Sequence, residues 1–554
     1  MKKSDAVRRL TAIRNEGNNW KPAWQDLKKY ILPSRGSFDD QPNQGKAIDH
    51  KVMLDGMPGR AARILAAGMT SGLTSPSRPW FKLGLADADM LEIEAVKIWL
   101  DTVQERMMGV YSKSNIYGVL HSTYQELGTF GTASTAIVED VVDVIRGQNF
   151  TIGEYWLGTG PDGRVNTFGR QFYYTIAQLV EEFGLENCSV STQNAFKGKS
   201  LDQWVKVCHL IQPNSDRDTS KIDKENMNFE SLYWEEGSQE EAFLRKGGFR
   251  GFPILCPRWD VVSADVYGRG PGWEVLGDAK MLQKMQRNKL IALDKLTNPP
   301  VQIKGDTMGD ANLLPGGITR FASGGADAGV SATYQVNPNI AELEATIQQT
   351  KRDISEGYYS DLFLMISQLD QPNTTAREIV ERHEEKLLML GPVLERLESE
   401  LLDPLIDRTF SIMLAKGLIP MPPEELQGME MKVEYISMLA QAQKMVGTAS
   451  IAQTVTFAQN IAAVIPEAAD MINVDETIQE YADMMGVPPK IIRSKEDVAV
   501  IRQSRADQVA AQQKAITMQN MVAGAKTLSD TKLGQNSALD QIGKNMGIKM
   551  GDQQ

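Results

Sequence analysis

Between residues 375 and 416 apolar side chains recur every three or four positions: Ile379, Leu387, Leu390, Leu394, Leu397, Leu401 and Leu405, with His383 on the same line. That period describes one stripe of an α-helix. Thr375 followed by Glu378 has capping-box spacing, where hydroxyl and carboxylate satisfy each other's free backbone N–H groups. Unbroken to Lys416, the helix would be about 60 Å long, well beyond an ordinary globular helix. Pro392 and Pro404 interrupt it; each lacks an N–H and crowds the preceding turn, so two bends are expected. The carboxylates of Glu378, Glu381, Glu384, Glu385, Glu395, Glu398 and Glu400 alternate with Arg and Lys, a pattern for ion pairs along the helix and between subunits. An apolar knot (residues 362–366) and a polar loop holding Pro372 lead in. A bent rod of this kind fits an elongated subunit better than a compact enzyme domain. A compact, solitary chain with residues 375–416 wrapped inside its own core would defeat that reading.

The 554 residues suffice for three or four domain-sized units. A net charge of −12 argues against a tight binder of nucleic-acid phosphate, which usually carries a basic excess. Three distant cysteines, Cys188, Cys208 and Cys256, form no CxxC pair and read as reduced thiols. Residues 1–5 hold no apolar run of a signal peptide. Residues 445–466 lack charge over about the length of a membrane span. Their Thr, Ser, Gln and Asn content points instead to a buried or interface helix.

Taken in order, the chain opens with two helices, residues 5–16 and one begun by Pro22, carrying Trp20, Trp24 and Tyr30 as aromatic packing. A small-residue helix over 55–72 follows, then one capped by Asp89 and Glu92 running to about 112, and another over 116–130. The period then changes to that of strands at 136–145, 150–157 and 164–174, with turns at Gly147 and at 158–163. The second turn reads GTGPDG, a literal GxGxxG. A dinucleotide loop must open a helix, whereas Pro-Asp-Gly signals a hairpin, so the nucleotide reading is set aside. Thr175 and Gln178 cap a short helix. Lys197-Gly-Lys-Ser has the end of a phosphate loop but no strand before it. Further strands are expected at 204–212, 229–234, 241–246 and 252–262, making an α+β body.

A helix over 278–297, stopped by Asn298-Pro-Pro, carries Lys280, Lys284, Arg287 and Lys295 along one face. Such a stripe is either a solvated face or a contact for DNA, an acidic partner or a neighbouring subunit. A glycine-rich excursion with strand pieces at 301–304, 318–321 and 333–336 returns along a helix over 339–359. Beyond 416 come a strand at 431–436, helices at 438–465, 475–485 and 494–528, and a polar tail. Four scattered histidines, His50, His121, His209 and His383, have no partner at metal-ligand spacing. No nucleophile elbow is found, so no metal, cofactor or catalytic residue is assigned.

Several strings together resemble the portal, or head-to-tail connector, proteins of short-tailed, podovirus-type bacteriophages. They are Asp361-Leu-Phe-Leu, Thr375-Ala-Arg-Glu-Ile-Val-Glu-Arg, Gly391-Pro-Val-Leu-Glu-Arg-Leu, Glu400-Leu-Leu-Asp-Pro-Leu-Ile, GLTSPSRPWFKL at 72–83, TIAQLVEEFG at 175–184, YGRGPG at 267–272 and LLPGGI at 313–318. The resemblance implies a predominantly helical α+β subunit: wing over 1–277, stem helices 278–298 and 339–360 around a clip at 299–338. A tunnel loop and long helix at 361–416, wing and crown at 417–485, and crown helices with a tail at 486–554 complete it. It implies a dodecameric ring in the virion, assembled in the host cytoplasm, through which double-stranded DNA passes. Partners would be the terminase large subunit, a tail adaptor, and the major capsid and scaffolding proteins. The loop at 367–374 would project toward the channel, offering Gln368, Asp370, Gln371, Asn373 and Thr374, with Arg377 just beyond. A channel lined mostly by acidic or neutral groups would let the duplex slide, because each neutralised phosphate adds affinity. The alternative, a metal-dependent nucleic-acid-processing enzyme, needs carboxylates clustered on strand ends, and here they concentrate on helices.

Overall fold

The computed structural model describes residues 1–39, 52–85, 93–221, 223–304, 308, 310–314, 317–322, 329–333, 339–368, 389–426, 431–437, 439, 473, 475 and 495–529. They fall into two units, 1–456 and 457–554.

In the first unit, α1 (Lys3–Asn18) and α2 (Lys21–Tyr30) match the expected pair. Trp24 is buried edge-on against Tyr267, ring centroids 4.8 Å apart, so these aromatics serve the core. The small residues of α3 (Met57–Leu73) allow close neighbours. β1 (Phe81–Leu85) pairs antiparallel with β12 (Met431–Tyr435); sequence reading found the second and missed the first. α4 (Glu94–Lys113) begins at Ile93 with no side-chain cap, and the proposed Asp89 and Glu92 cap lies outside the described residues. α5 (Ile116–Phe130) follows as expected.

The turn expected at Gly147 is a correction. Gly147 lies inside β3 (Val144–Phe150), opposite Ile137 of β2 (Ser134–Asp140). The chain reverses instead after Asp140, whose carboxylate accepts the N–H groups of Val142 at 2.7 Å and Asp143 at 2.8 Å. A side-chain acceptor can replace glycine in building a turn. Gly147 is needed for another reason: a Cβ there would meet Val119 at 2.9 Å.

A five-stranded antiparallel sheet runs in chain order: β4 (Tyr155–Thr159), β5 (Val165–Thr175), β6 (Trp204–Pro213), β7 (Phe229–Glu235) and β8 (Arg245–Phe249). The GTGPDG segment is the β4–β5 hairpin, with Gly160 N–H on Arg164 O at 2.8 Å. α6 (Ile176–Phe183) starts from the expected Thr175–Gln178 capping box. Lys197 ends α7 (Val190–Lys197), with no strand running into it. The strand expected at 241–246 is displaced to β8. The one expected at 252–262 shrinks to β9 (Ile254–Leu255), which borders β2 between Pro253 and Pro257; proline has no N–H to extend a ladder.

The chain then runs through α8 (Pro271–Glu274), α9 (Leu276–Thr297), β10 (Val301–Lys304), β11 (Gly329–Ala332), α10 (Ile340–Gly357) and α11 (Ser360–Gln368). β10 and β11 pair antiparallel, Val301 opposite Ala332; of the third strand piece expected at 333–336, all but residue 333 lies outside the described residues.

Residues 389–397 are helical and continue through a π-turn at Glu398–Leu402 into α12 (Asp403–Ala415). Of the two predicted interruptions, Pro392 lies in the first turn of the described helix, its approach outside the described residues, and the helix changes form before Pro404. Pro404 cannot donate to the carbonyl four residues back, and a π-turn shifts bonding to the fifth. Leu390, Leu394, Leu397, Leu401 and Leu405 all lie in the hydrophobic core that also holds Trp24, Leu65, Tyr124 and Phe363. The described half of the stripe is therefore packed inside its own subunit. Residues 375–388, with His383, lie outside the described residues, as do the helices expected at 438–465 and 475–485 for all but isolated positions.

In the second unit, α13 (Lys495–Ser529) reproduces the last expected helix, and Arg502 makes two bonds to Asp475, at 2.5 and 2.6 Å.

Candidate functional site

The expected sites fall on the α9–α10 pair and on the segment after α11. Of the loop residues, Gln368 closes α11, while Asp370, Gln371, Asn373, Thr374 and Arg377 lie outside the described residues. α11 itself is seated in the body: Phe363 is buried against Gly68 of α3.

The root of the helix pair is locked by polar contacts that sequence reading did not find. Gln283 is buried on α9; its carbonyl accepts the N–H groups of Leu54 at 2.7 Å and Asp55 at 2.9 Å, and its amide donates to Asp55 O at 2.8 Å. The Asp55 carboxylate receives Gln286 at 2.7 Å, the Met57 N–H at 3.0 Å and Lys351 of α10 at 2.8 Å. Burial pushes its pKa up, but Lys351, Met57 and Gln286 together hold it below the usual carboxylate value. Leu282, Ile347 and Ile354 are buried beside this network, and Lys289 pairs with Glu344 across the two helices.

The basic stripe is not a uniform contact surface. Lys280 is held in-chain by Asp26 at 2.6 Å, with its ammonium 5.7 Å from the Tyr30 ring centroid. Lys284, Arg287 and Lys295 are exposed. Farther out, Leu290, Ile291 and Leu296 of α9, Ile303 of β10, and Leu314 and Ile318 in the excursion also face solvent. Apolar side chains gathered at the end of a helix pair mark a surface for another protein chain.

Among the described residues no group of His, Cys, Asp or Glu is placed to hold a metal ion, and no helix is long and apolar enough to cross a membrane. The three cysteines are free and buried. Burial pushes the Cys188 thiol to about 11, and those of Cys208 and Cys256 to about 12. Glu400, expected to pair along its helix or with a neighbour, instead grips Arg258 of the same chain.

These features define an assembly subunit, with an anchored helix pair carrying an apolar far end. The chain belongs to the family of bacteriophage head to tail connecting proteins, whose model matches residues 3–492. It is 43% identical over 548 residues to the portal protein of Salmonella phage epsilon15, covering 98% of each chain. It is 42% identical over 530 residues to the probable portal protein of Bordetella phage BPP-1, covering 95% of this chain and 96% of that one. It also resembles a chain from the virion of a native gene transfer agent particle, at a TM-score of 0.34 and 10% identity over 84% of this chain and 99% of that one; so low a likeness adds no argument. The protein is a portal component of the virion's head–tail junction. The family match stands beside core burial of the Leu390–Leu405 stripe, since a helix can pack its own body with one face and leave the other for a neighbour.

Proposed function

We propose that twelve copies form a ring at one capsid vertex through which double-stranded DNA is packaged and later ejected. The near full-length 43% identity to a portal protein carries this reading. The exposed apolar residues at the far end of α9 and on the β10 excursion support it, because neighbouring copies would cover them. In this reading residues 1–277 are the wing, residues 278–298 and 339–360 the two stem helices, and residues 299–338 the clip. Residues 361–416 form the tunnel loop and helix, 417–485 wing and crown, and 486–554 crown helices and tail. The terminase large subunit docks during packaging and a tail adaptor afterwards, while capsid and scaffolding proteins surround the ring during assembly in the host cytoplasm. Asp370 and its neighbours, with Arg377, face the channel. A lumen with few basic rings lets DNA slide, since every phosphate neutralised adds salt-dependent affinity. Lys284, Arg287 and Lys295 belong to the stem's outer contacts. Mass photometry of the purified chain tests the ring: a species of about twelve chain masses is expected, and a monomer at every concentration overturns it. A density map with a lumen lined continuously by Lys and Arg overturns the sliding mechanism.

A further inference from the structure

The α9–α10 pair is held together along one side of each helix, by buried Leu282 of α9 and by Ile347 and Ile354 of α10. The opposite sides are bare. On α9 they present Met281, Lys284, Asn288 and Ile291, recurring every three or four residues, with Arg287 beside them; all are exposed. On α10 the bare side carries Glu342, Ala345, Gln349, Asp353 and Glu356 at the same helical spacing, again all exposed. Because the helices pack on each other through their inner sides, these two faces point in opposite directions, and no copy can bring its own together.

The faces differ in sign, and the charges that matter are uncommitted. Lys280, Lys289 and Lys295 of α9 have partners in their own chain. Lys284 and Arg287 have none among the described residues. On α10, Glu342 caps its own helix and Asp353 accepts only the Gln349 amide, at 2.8 Å, while Glu356 has no side-chain partner among the described residues. Asp294 flanks the first face and Arg352 the second, both exposed. Lys284 and Arg287 against Asp294 leave α9 basic; Glu342, Asp353 and Glu356 against Arg352 leave α10 acidic.

Register agrees with sign. Lys289 and Glu344 meet across the pair and fix one common height. Counting the same five residues toward the root from each gives Lys284 on α9 and Gln349 on α10, with Asp353 about one turn lower. Rotation about a ring axis preserves height, so with the stem running along that axis Lys284 of one copy stands level with Gln349 of the next, within reach of Asp353. Two different, complementary patches on opposite sides of a subunit make a head-to-tail contact, the kind that closes into rings. We propose that the Lys284–Arg287 face of α9 in each copy packs against the Asp353–Glu356 face of α10 in the next. This rests on the ring reading above.

Charge reversal distinguishes the two. Lys284→Glu with Arg287→Glu makes both faces acidic, and Asp353→Lys with Glu356→Lys makes both basic. All four side chains are exposed, so the melting curve of each reversed chain should match the parent. One exposed ion pair contributes little, but reversal sets like charges face to face at every contact of the ring. In mass photometry at low salt each reversed chain alone should lose roughly tenfold or more of its rings. An equimolar mixture of the two should regain them, because every contact in an alternating ring is again opposite in sign. Normal rings from either reversed chain alone, or a mixture no better than its components, overturn the contact and leave the ring reading intact. Normal rings of the first variant that hold DNA more weakly would assign Lys284 and Arg287 to the duplex and overturn the contact too. Absence of rings from the unmodified chain overturns both.

Discussion

Arg258 and Glu400, far apart in sequence, form a forked ion pair at the π-turn of the long helix. The guanidinium Nη2 lies 2.5 Å from one carboxylate oxygen, its Nε 3.2 Å from each, and the Arg258 backbone N–H donates at 3.0 Å. The second arm of Nη2 reaches the Gly163 carbonyl at 3.0 Å. Thus the β4–β5 hairpin, the segment after β9 and the helix leading to α12 meet on one cation.

Because Arg258 is 6% exposed and Glu400 15%, removing one partner leaves a nearly buried charge without its counter-ion. Arg258→Met is expected to destabilise the chain by about 3–5 kcal/mol. Urea denaturation of the two variants decides it: Glu400→Gln, which keeps an acceptor, should lose clearly less than Arg258→Met.

Glu126, a buried carboxyl on α5, has Arg35 3.9 Å from one oxygen and the Ile152 N–H 3.2 Å from the other. Burial raises its pKa to about 7, against lowering by the Thr151 hydroxyl, Arg35 and the Ile152 N–H. The folded state therefore holds a proton that the unfolded chain, with the ordinary value of 4.5, releases. Stability from this group is fully present below about pH 4.5 and is lost as pH rises through 7, at about 1.4 kcal/mol per unit, or about 3 kcal/mol in all. Glu126→Gln should flatten this component of the pH–stability curve and make the protein more stable than the parent at pH 8. A variant equally sensitive between pH 5 and 7 would mean that Glu126 is ionised throughout.

Gly68 faces Phe363 so closely that a Cβ would overlap the ring and its own Cβ. Gly68→Ala should push α3 and α11 apart at a cost of about 1–3 kcal/mol. Phe363→Ala, which removes the ring and leaves only its Cβ near Gly68, should in the same chain make the combined loss smaller than the sum of the two single losses, a coupling that a double-mutant cycle of melting temperatures would reveal. Independent, additive losses would show that the two helices do not bear on each other.

Where period and capping are local, the sequence was legible: α5, the Thr175–Gln178 box of α6 and the long α13 all stand as read. The errors have one physical source, which is that the deciding partner is remote or is a side chain. β1 is five residues whose ladder partner, β12, comes hundreds of positions later, so nothing nearby marks it as a strand. The turn assigned to Gly147 sits at Asp140 because a carboxylate supplies the acceptors. The basic stripe on α9 was visible from spacing, but Asp26, which occupies Lys280, was not. The loop residues around Asp370 rested on family resemblance, as nothing in their composition marks a channel.

The helix pair offers a sharper contrast between exposed and buried polarity. Lys280 and Asp26 are both about two-fifths exposed, so Lys280→Ala should cost less than about 1 kcal/mol despite a 2.6 Å contact. Gln283, almost fully buried, is the acceptor for two backbone N–H groups and the donor to a carbonyl. Gln283→Leu fills the space but strands the Leu54 and Asp55 amides, each unmet group costing about 1–3 kcal/mol. The loss should therefore exceed that of Lys280→Ala several-fold. Hydrogen exchange localises it: amides 54 and 55 should exchange far faster in Gln283→Leu while those of α5 keep their protection. Unchanged exchange at 54 and 55 would mean that Gln283 does not anchor the root of the pair.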